Sequence, residues 1–195
     1  MSKLDYLRVD ILPETEADDD DEPSCYILQH SGDIIAGSGP DDERIIGHIS
    51  VDIVQRERAN LDGQSLWQVM DCLSGDTADC FESLFTLKRE ELKQSVISRR
   101  SAYREELPNL MLINRLELDA DFRGRGIGKQ VVDQAVKSLG KRCEVIVCCP
   151  FPLQFSGKGI ADSPEFKDAW NKVRRFWSGV GFERIPRTNY FIWPD

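Results

Sequence analysis

The clearest pattern of hydrophobic and polar positions lies in the middle of the chain. Residues 110–118 begin as an apolar run and continue as an alternation of apolar and polar positions, which is typical of a strand covered on both faces. After a short polar stretch, apolar side chains return at a helical spacing at Ile127, Val131, Ala135 and Leu139. Gly140 follows directly and favours a helix end there. The pattern therefore predicts a strand, a tight turn and a helix.

Three shorter strands are predicted in the first third of the chain, at residues 4–12, 25–29 and 44–56. The stretches 31–33 and 37–41 are rich in turn residues, so the second and third of these strands are expected to form a hairpin. His48 lies inside the third predicted strand and is interpreted as a sheet residue. The acidic run at 18–22 is expected to be a solvated loop, since it lacks the spaced ligands and turn glycine of a calcium loop.

Two helical patterns precede the central strand. In the first, Asp76 or Thr77 is expected to cap a helix whose apolar face holds Ala78, Phe81, Leu84 and Phe85. The second runs from Thr86 to Leu107 and stops before Pro108, with apolar positions at Leu92, Val96, Tyr103 and Leu107. One kinked helix or two separate helices fit this pattern equally well. The pattern leaves open the state of the short apolar piece at 67–71.

After the central helix, residues 143–149 predict a further strand and residues 190–193 a last one. Between them, Ser163 is expected to cap a helix that has Pro164 at its first position and an apolar side formed by Phe166, Trp170, Val173 and Trp177. The loop at 150–159 carries two prolines, two aromatic residues and Gln154. A substrate-binding wall and a packed surface loop explain this loop equally well.

Composition bounds the class of protein. With 195 residues, 41% hydrophobic and 30% charged, the chain is expected to be one soluble domain. Its net charge of −9 argues against nucleic acid as the main partner and mildly favours cationic amine substrates. No apolar run approaches the about 18 residues of a membrane span, and the first residues do not resemble a signal peptide. No membrane partner and a cytoplasmic location are therefore expected.

The six cysteines include no C-x-x-C pair, and the chain has only two histidines. No metal site is expected, and the thiols are interpreted as reduced and mostly buried. Cys148 and Cys149 end a predicted strand. Core packing is favoured for them over a covalent relay, because no histidine is paired with either in the sequence.

The turn between the central strand and helix predicts a phosphate site. Its sequence is Arg123-Gly124-Arg125-Gly126-Ile127-Gly128, followed by Lys129. Three glycines let backbone N–H groups surround an anion, and the start of the helix adds a partial positive charge. The dinucleotide pattern G-x-G-x-x-G fails, because Lys129 stands where its third glycine belongs. The nucleotide-triphosphate loop G-x-x-x-x-G-K-[ST] also fails, because Gln130 follows Lys129 and no glycine stands at the required offset.

The turn resembles the pyrophosphate loop [RQ]-x-x-G-x-[GA] of the GCN5-related N-acetyltransferase (GNAT) superfamily, with matches at Arg123, Gly126 and Gly128. The preceding residues resemble that family's strand ending L-x-V-x-P-x-[YF]-R-G, except that Ala120 replaces the proline. The resemblance covers residues 110–195 and implies an α/β fold, with a mixed central sheet flanked by helices and two strands splayed at the acyl-CoA site. Residues 1–109 are expected to be an atypical half of the same single domain. Their helices follow the hairpin, whereas in the family they usually follow the first strand.

The resemblance also implies positions for the co-substrate acetyl-CoA. Backbone groups of the strand would hold its pantetheine arm, and the glycine turn would hold its pyrophosphate. The expected cofactor-binding residues are Leu116, Glu117, Leu118, Arg123, Gly124, Arg125, Gly126, Ile127, Gly128, Lys129 and Trp177.

The proton-transfer groups are less complete than in the family. Alignment on Gly181 and Phe182 puts Trp177 where the family usually has an acidic tyrosine and Trp170 where it often has asparagine. Since an indole supplies no proton near pH 7, the acid role is empty, left to water or filled from elsewhere, with Tyr103 and Tyr190 as substitutes that the sequence does not place. Glu117 is the candidate base, although strand alternation alone does not say which face meets the cleft.

The function expected from this resemblance is transfer of an acetyl group from acetyl-CoA to a primary amine, which belongs to a small molecule or a protein. The alternative is a catalytically weak acyl-CoA-binding or protein-interaction module that lost the acid tyrosine. A small acidic scaffold without a cofactor is a third interpretation. A homodimer is a further expectation.

Overall fold

The computed structural model describes residues 6–13, 22–100, 109–155 and 163–194. Its strands form one seven-stranded sheet in the order β1-β2-β3-β4-β5-β7-β6. They are β1 (Tyr6–Pro13), β2 (Ile27–Gly37), β3 (Arg44–Val54), β4 (Asn109–Leu118), β5 (Cys143–Cys148), β6 (Glu183–Arg184) and β7 (Phe191–Ile192). β4 and β5 are parallel to each other, and the other neighbouring pairs are antiparallel.

The α-helices pack in two groups on this sheet. They are α1 (Arg56–Leu61), α2 (Leu66–Asp71), α3 (Gly75–Leu84), α4 (Gln94–Ile97), α5 (Ile127–Leu139) and α6 (Pro164–Val180). Short 3₁₀ helices lie at Pro23–Tyr26, Pro40–Asp42, Ala120–Phe122, Gly140–Arg142 and Leu153–Phe155. One apolar core joins the sheet to α1–α4 and the other joins it to α5 and α6. A mixed sheet with helices on both faces confirms the predicted fold class.

The strand β2 is longer than predicted. Residues 31–33 were expected to be turn material, and this expectation is wrong, because Gly32 lies in the middle of β2 between Ile11 of β1 and Ile49 of β3. A Cβ on Gly32 would stand 2.6 Å from the carbonyl oxygen of Asp10. The glycine therefore permits a close approach of two strands, which the sequence pattern does not distinguish from a turn. The predicted turn at 37–41 and the β2–β3 hairpin are confirmed.

The helical predictions before β4 are correct only in part. The first helix is present as α3, but Ser74 caps it and forms a capping box with Thr77, so the expected caps are wrong. Helix is absent between Thr86 and Lys93, where Glu90 has a positive φ of 55° and Phe85 forms a bridge to Leu92. The segment at 67–71, whose secondary structure the sequence pattern left undecided, lies in α2. The predicted helical positions Tyr103 and Leu107 lie outside the described residues.

The splayed strands expected at the acyl-CoA site are present. β4 pairs with β5 only from Asn109 to Ile113, and its remaining residues, 114–118, have no partner on the β5 side. β5 ends at Cys148 and the chain turns away through Pro150. A gap therefore opens between the two strands at their carboxyl ends, beside the start of α5. This is where ligands bind in open parallel sheets.

Candidate functional site

A large cleft occupies this gap. Its volume is about 1370 Å³, and it is lined by β4 residues 113–118, by the turn at 123–129, by residues 149–155 and by one face of α6. The strand, the turn and Trp177 of α6 were predicted as parts of the site, and the role of the loop was left open. The fold places all four beside the same cleft. A cleft of this size is large enough for an extended, nucleotide-sized ligand.

A β-bulge at Asn114 decides which side chains of β4 face which way. Ser50 of β3 pairs with Arg115 and Val51 pairs with Ile113, so Asn114 has no partner on β3. The extra residue inverts the alternation. Leu116 and Leu118 consequently pack on the α5 side of the sheet together with Ile113, whereas Glu117 points to the opposite face.

The glycine turn has the backbone geometry of an anion-binding loop. Gly124 and Gly126 have positive φ values of 72° and 79°, and Gly126 is the residue that precedes the first turn of α5. A Cβ at either position would meet nothing within 4 Å. The turn leads into the positive end of a 13-residue helix, whose first backbone N–H groups have no partner within the helix. The turn is therefore available to a phosphate group from the cleft side.

The charged side chains around this turn have different roles. The Arg123 Nε donates a hydrogen bond of 2.7 Å to the carbonyl oxygen of Leu118, which fixes the turn to the end of β4. The Arg125 guanidinium lies over the Phe122 ring, 5.4 Å from its centroid, and does not line the cleft. Lys129 lines the cleft. Arg123 and Lys129 are thus the two cations of the turn that line the cleft, and the Arg125 side chain does not line it.

Ile127 and Gly128 pack the start of α5 against the rest of the protein. Ile127 is buried in the core, so only its backbone faces the turn. Gly128 lies against α6, because a Cβ there would stand 2.9 Å from the Phe176 Cε2 atom. Phe176 was not singled out from the sequence, although it stands beside the aligned position Trp177. The close approach of α5 and α6 at this pair forms one end of the cleft.

Trp177 lines the cleft but is only 5% exposed. Its ring contacts the rings of Phe176 and Phe182 edge to face, with centroids 5.3 Å and 5.0 Å away. Trp170 also has a structural role, since its Nε1 donates a hydrogen bond of 2.9 Å to the carbonyl oxygen of Pro150. This bond ties α6 to the loop that follows β5. Neither tryptophan provides an acid group.

Of the two substitute tyrosines, Tyr190 lies among the described residues and does not line the cleft. The Tyr190 hydroxyl donates a hydrogen bond of 2.9 Å to the carbonyl oxygen of Asp76, in the core on the α1–α4 side. Burial raises the pKa of this phenol, and the nearby Cys80, Cys149, Asp79 and Asp76 add to the rise. Tyr103 lies outside the described residues. No tyrosine lines the cleft among residues 6–13, 22–100, 109–155 and 163–194.

Glu117 lines the cleft, and its side chain lies on the face of the sheet opposite α5. The Arg115 Nη2 atom lies 2.6 Å from the Glu117 Oε2 atom, and both side chains are roughly half exposed. His48 is the cross-strand neighbour of Glu117 on β3, and its Nδ1 lies 2.7 Å from the Asp33 carboxylate. Glu117 is therefore one of several partly exposed polar side chains beside the cleft. Arg115 was not predicted as a site residue, although it stands two residues from Glu117 on the same predicted strand.

The two cysteines at the end of β5 are not activated nucleophiles. Cys148 is fully buried, and burial raises the pKa of its thiol well above the ordinary value. Cys149 lines the cleft, and burial, with smaller contributions from Asp76 and Asp79, raises its pKa to about 11. Both thiols are protonated near pH 7, which supports packing over a covalent relay.

The loop after β5 forms an aromatic wall of the cleft. Phe151, Gln154 and Phe155 line it, and the Phe151 and Phe155 rings lie 5.7 Å and 5.5 Å from the Phe166 ring of α6. Phe151 remains 42% exposed. Of the two interpretations of this loop, the position of these side chains in the cleft favours the wall.

Two further results concern the described residues only. No helix among them is both long and apolar enough to cross a bilayer. No group of three or more histidine, cysteine, aspartate or glutamate side chains in these segments is arranged to hold a metal ion.

Comparison with known proteins found similar structures but no sequence match. The crystal structure of Arabidopsis thaliana NAA60 in complex with a bisubstrate analogue is 16% identical, with a TM-score of 0.42, and the match covers 86% of this chain and 76% of that chain. The crystal structure of AtaTR bound with AcCoA is 13% identical, with a TM-score of 0.41, and the match covers 97% and 94%. No family model and no curated protein matches. These TM-scores are too low for a function to be inferred from the two structures. The proposed function rests on the geometry of the cleft.

Proposed function

We propose that this chain is an acyl-CoA-dependent N-acyltransferase that moves an acetyl group from acetyl-CoA to a primary amine. One observation supports it above the others. Gly124 and Gly126, which both have positive φ values, line the cleft at the start of α5. The same cleft contains the end of β4, where the backbone is no longer paired with β5. A phosphate-binding turn and a row of unpaired backbone groups on β4 therefore lie in one cleft. This arrangement matches a ligand with a pyrophosphate and a long amide-bearing arm.

In this proposal each part of the cofactor has a position. The backbone N–H groups of 124–129 and the Lys129 ammonium bind the pyrophosphate. The pantetheine arm lies along the unpaired stretch of β4, and its amides hydrogen-bond to the backbone of Leu116 to Leu118. Leu116, Leu118 and Trp177 supply apolar contacts on the α5 side.

The chemistry requires a neutral amine and a polarised thioester. The amine nitrogen attacks the thioester carbonyl carbon, the carbon–sulfur bond breaks, and the thiolate that leaves takes up a proton. Glu117 borders the cleft and accepts the proton that the ammonium group loses, directly or through water. Since no described tyrosine lines the cleft, a water molecule protonates the thiolate and takes up in turn the second proton, which the attacking nitrogen releases as the amide forms.

Calorimetric titration with acetyl-CoA tests the cofactor assignment. We expect saturable binding by the intact protein and at least tenfold weaker binding by Gly126→Asp, which puts a negative charge into the phosphate-binding turn. Gly126→Asn is the neutral comparison, because asparagine tolerates a positive φ without adding charge. Gly63→Asp is the matched control, since Gly63 has a φ of 72° and open space around it but lies outside the cleft. Unchanged affinity in Gly126→Asp would overturn the proposal.

A weakly catalytic acyl-CoA-binding module is the second candidate. Trp177 favours it, because an indole stands where the resemblance places a tyrosine acid and Tyr190 is occupied elsewhere. Both candidates predict acetyl-CoA binding. Turnover with a panel of primary amines separates them, because only the enzyme releases free coenzyme A in proportion to acetylated amine.

A further inference from the structure

A second groove lies on the other side of α6 from the cleft. Its volume is about 500 Å³, and it is lined by Asn171, Arg174, Arg175, Ser178, Arg184 and Phe191. Its four α6 residues are spaced at i, i+3, i+4 and i+7 and form one helix face. Most of the α6 residues that line the cleft, such as Val173, Phe176 and Val180, lie on the opposite face, and only Arg175 borders both.

Three arginine side chains converge on this groove. Arg184 of β6 is the strand partner of Phe191 on β7, and the Arg174 guanidinium lies over the Phe191 ring, 5.8 Å from its centroid. Burial and the neighbouring charge of Arg184 lower the pKa of Arg174. Arg175 joins them from the next position on α6. The three arginines thus concentrate positive charge in one groove of a chain whose net charge is −9.

Backbone carbonyl groups and aromatic rings hold these guanidinium groups in place, and no carboxylate of the described residues is paired with them. The Nε atoms of Arg175 and Arg184 donate hydrogen bonds to the carbonyl oxygens of Asn171 and Thr188, at 3.2 Å and 3.1 Å. Arg174 is stacked on Trp170 as well as on Phe191. The ion pairs found among the described residues involve other arginines, and none of these three has a carboxylate within 4 Å there. Their terminal N–H groups remain available to a ligand.

We propose that Arg174, Arg175 and Arg184 form a binding site for a phosphoryl group, separate from the glycine turn. An arginine guanidinium donates hydrogen bonds to two oxygens of an anion. Three guanidinium groups in one groove offer more donors than the two oxygens of a carboxylate accept. A phosphate dianion offers three oxygens and a second negative charge. Asn171 and Ser178 supply further donors at the rim, and the Phe191 ring forms an apolar floor. The ligand class is a small soluble phosphate ester or diphosphate.

The site is tested on the full-length protein by following backbone amide resonances during titration with inorganic pyrophosphate at low ionic strength. We expect the amides of Ser178 and Phe191 to shift and saturate, with a Kd on the order of 1 mM or lower. The amides of Gly124 and Gly126 report binding at the glycine turn independently. Acetate, a carboxylate, should bind the groove at least tenfold more weakly than pyrophosphate.

Charge reversal identifies the arginines. Arg174→Glu and Arg184→Glu should each weaken pyrophosphate binding at the groove at least tenfold and leave the response of the glycine turn unchanged. Arg142→Glu, an exposed arginine after α5, is the control and should behave as the parent protein. If a reversal variant fails to fold, Arg184→Lys keeps the charge, removes the fork and should still weaken binding. Groove amides that do not shift, that shift equally in all variants, or that respond equally to acetate would overturn the proposal.

Discussion

Gly128 of α5 and the Phe176 ring of α6 lie so close that a Cβ on the glycine would stand 2.9 Å from the Phe176 Cε2 atom. The same pair borders the cleft, because both residues line it. The spacing of α5 and α6 at the phosphate turn therefore depends on the absence of one side chain. This relationship leads to the first of four predictions.

Gly128→Ala should lower the free energy of unfolding by about 1 to 2 kcal/mol, because the added methyl group displaces Phe176 in a packed contact. Urea denaturation measures the change. Gly179→Ala is the matched control on α6, where a Cβ meets nothing within 4 Å, and it should stabilise the protein by about 0.5 to 1 kcal/mol. An equal gain in both variants would show that α5 and α6 have room to spare at this contact.

Glu90 predicts a pH-dependent contribution to stability. Its carboxylate accepts hydrogen bonds from the Ser65 hydroxyl and the backbone N–H groups of Leu66 and Trp67, at 2.6, 2.8 and 3.2 Å, and so caps the start of α2. Partial burial raises the pKa of Glu90, but these hydrogen bonds and the charge of Arg56 outweigh it, so the pKa is lowered. The stabilisation is therefore present above the unfolded pKa of about 4.3 and is lost as the pH falls through the lower folded value.

Glu90→Gln should cost about 1 kcal/mol of unfolding free energy at pH 7, and the difference from the parent protein should shrink below pH 4. The neighbouring Glu91→Gln is the control, because its exposed side chain makes no such contact. Urea titrations at several pH values provide the measurement. A difference that stays constant from pH 7 to pH 3 would contradict the capping role.

Tyr190→Phe should affect stability and leave cofactor binding unchanged. The variant removes the hydrogen bond from the buried hydroxyl to the Asp76 carbonyl oxygen, which costs about 0.5 to 1.5 kcal/mol. The hydroxyl lies in the core on the α1–α4 side and does not line the cleft. Thermal unfolding and acetyl-CoA titration of the same sample distinguish the two effects. A variant that loses acetyl-CoA affinity while keeping its stability would mean that Tyr190 acts at the site.

Cys149 should remain unmodified when the protein is incubated with acetyl-CoA near pH 7. The pKa of its thiol is raised to about 11, mainly by burial, so the nucleophilic thiolate is scarce at that pH. Peptide mapping by mass spectrometry checks for an acetyl group on Cys149, and its reaction with iodoacetamide should accelerate as the pH rises towards 11. Stoichiometric acetylation of Cys149 at pH 7 would support a covalent relay after all.

The sequence by itself determined the strand, the glycine turn and the helix at the centre of the fold. These features depend on local causes: the apolar runs of β4 and α5, the positive φ values that favour Gly124 and Gly126, and the cap at Ser163. The hairpin before the helices was predictable for the same reason, since period-two apolar patterns and turn residues act over short distances. All these predictions depend on residues that are neighbours in the chain.

Tertiary structure decided the rest. The face that Glu117 presents depends on the bulge at Asn114, which arises from pairing with β3 and leaves no trace in the alternation of β4. Gly32 lies in a strand because β1 approaches it, and the segment after Thr86 is not helical because Glu90 is drawn to the start of α2. The positions of Tyr190 and of the arginines beside Phe191 likewise follow from contacts between segments far apart in sequence. Propensity and periodicity report local preference, and long-range packing outweighs it at these residues.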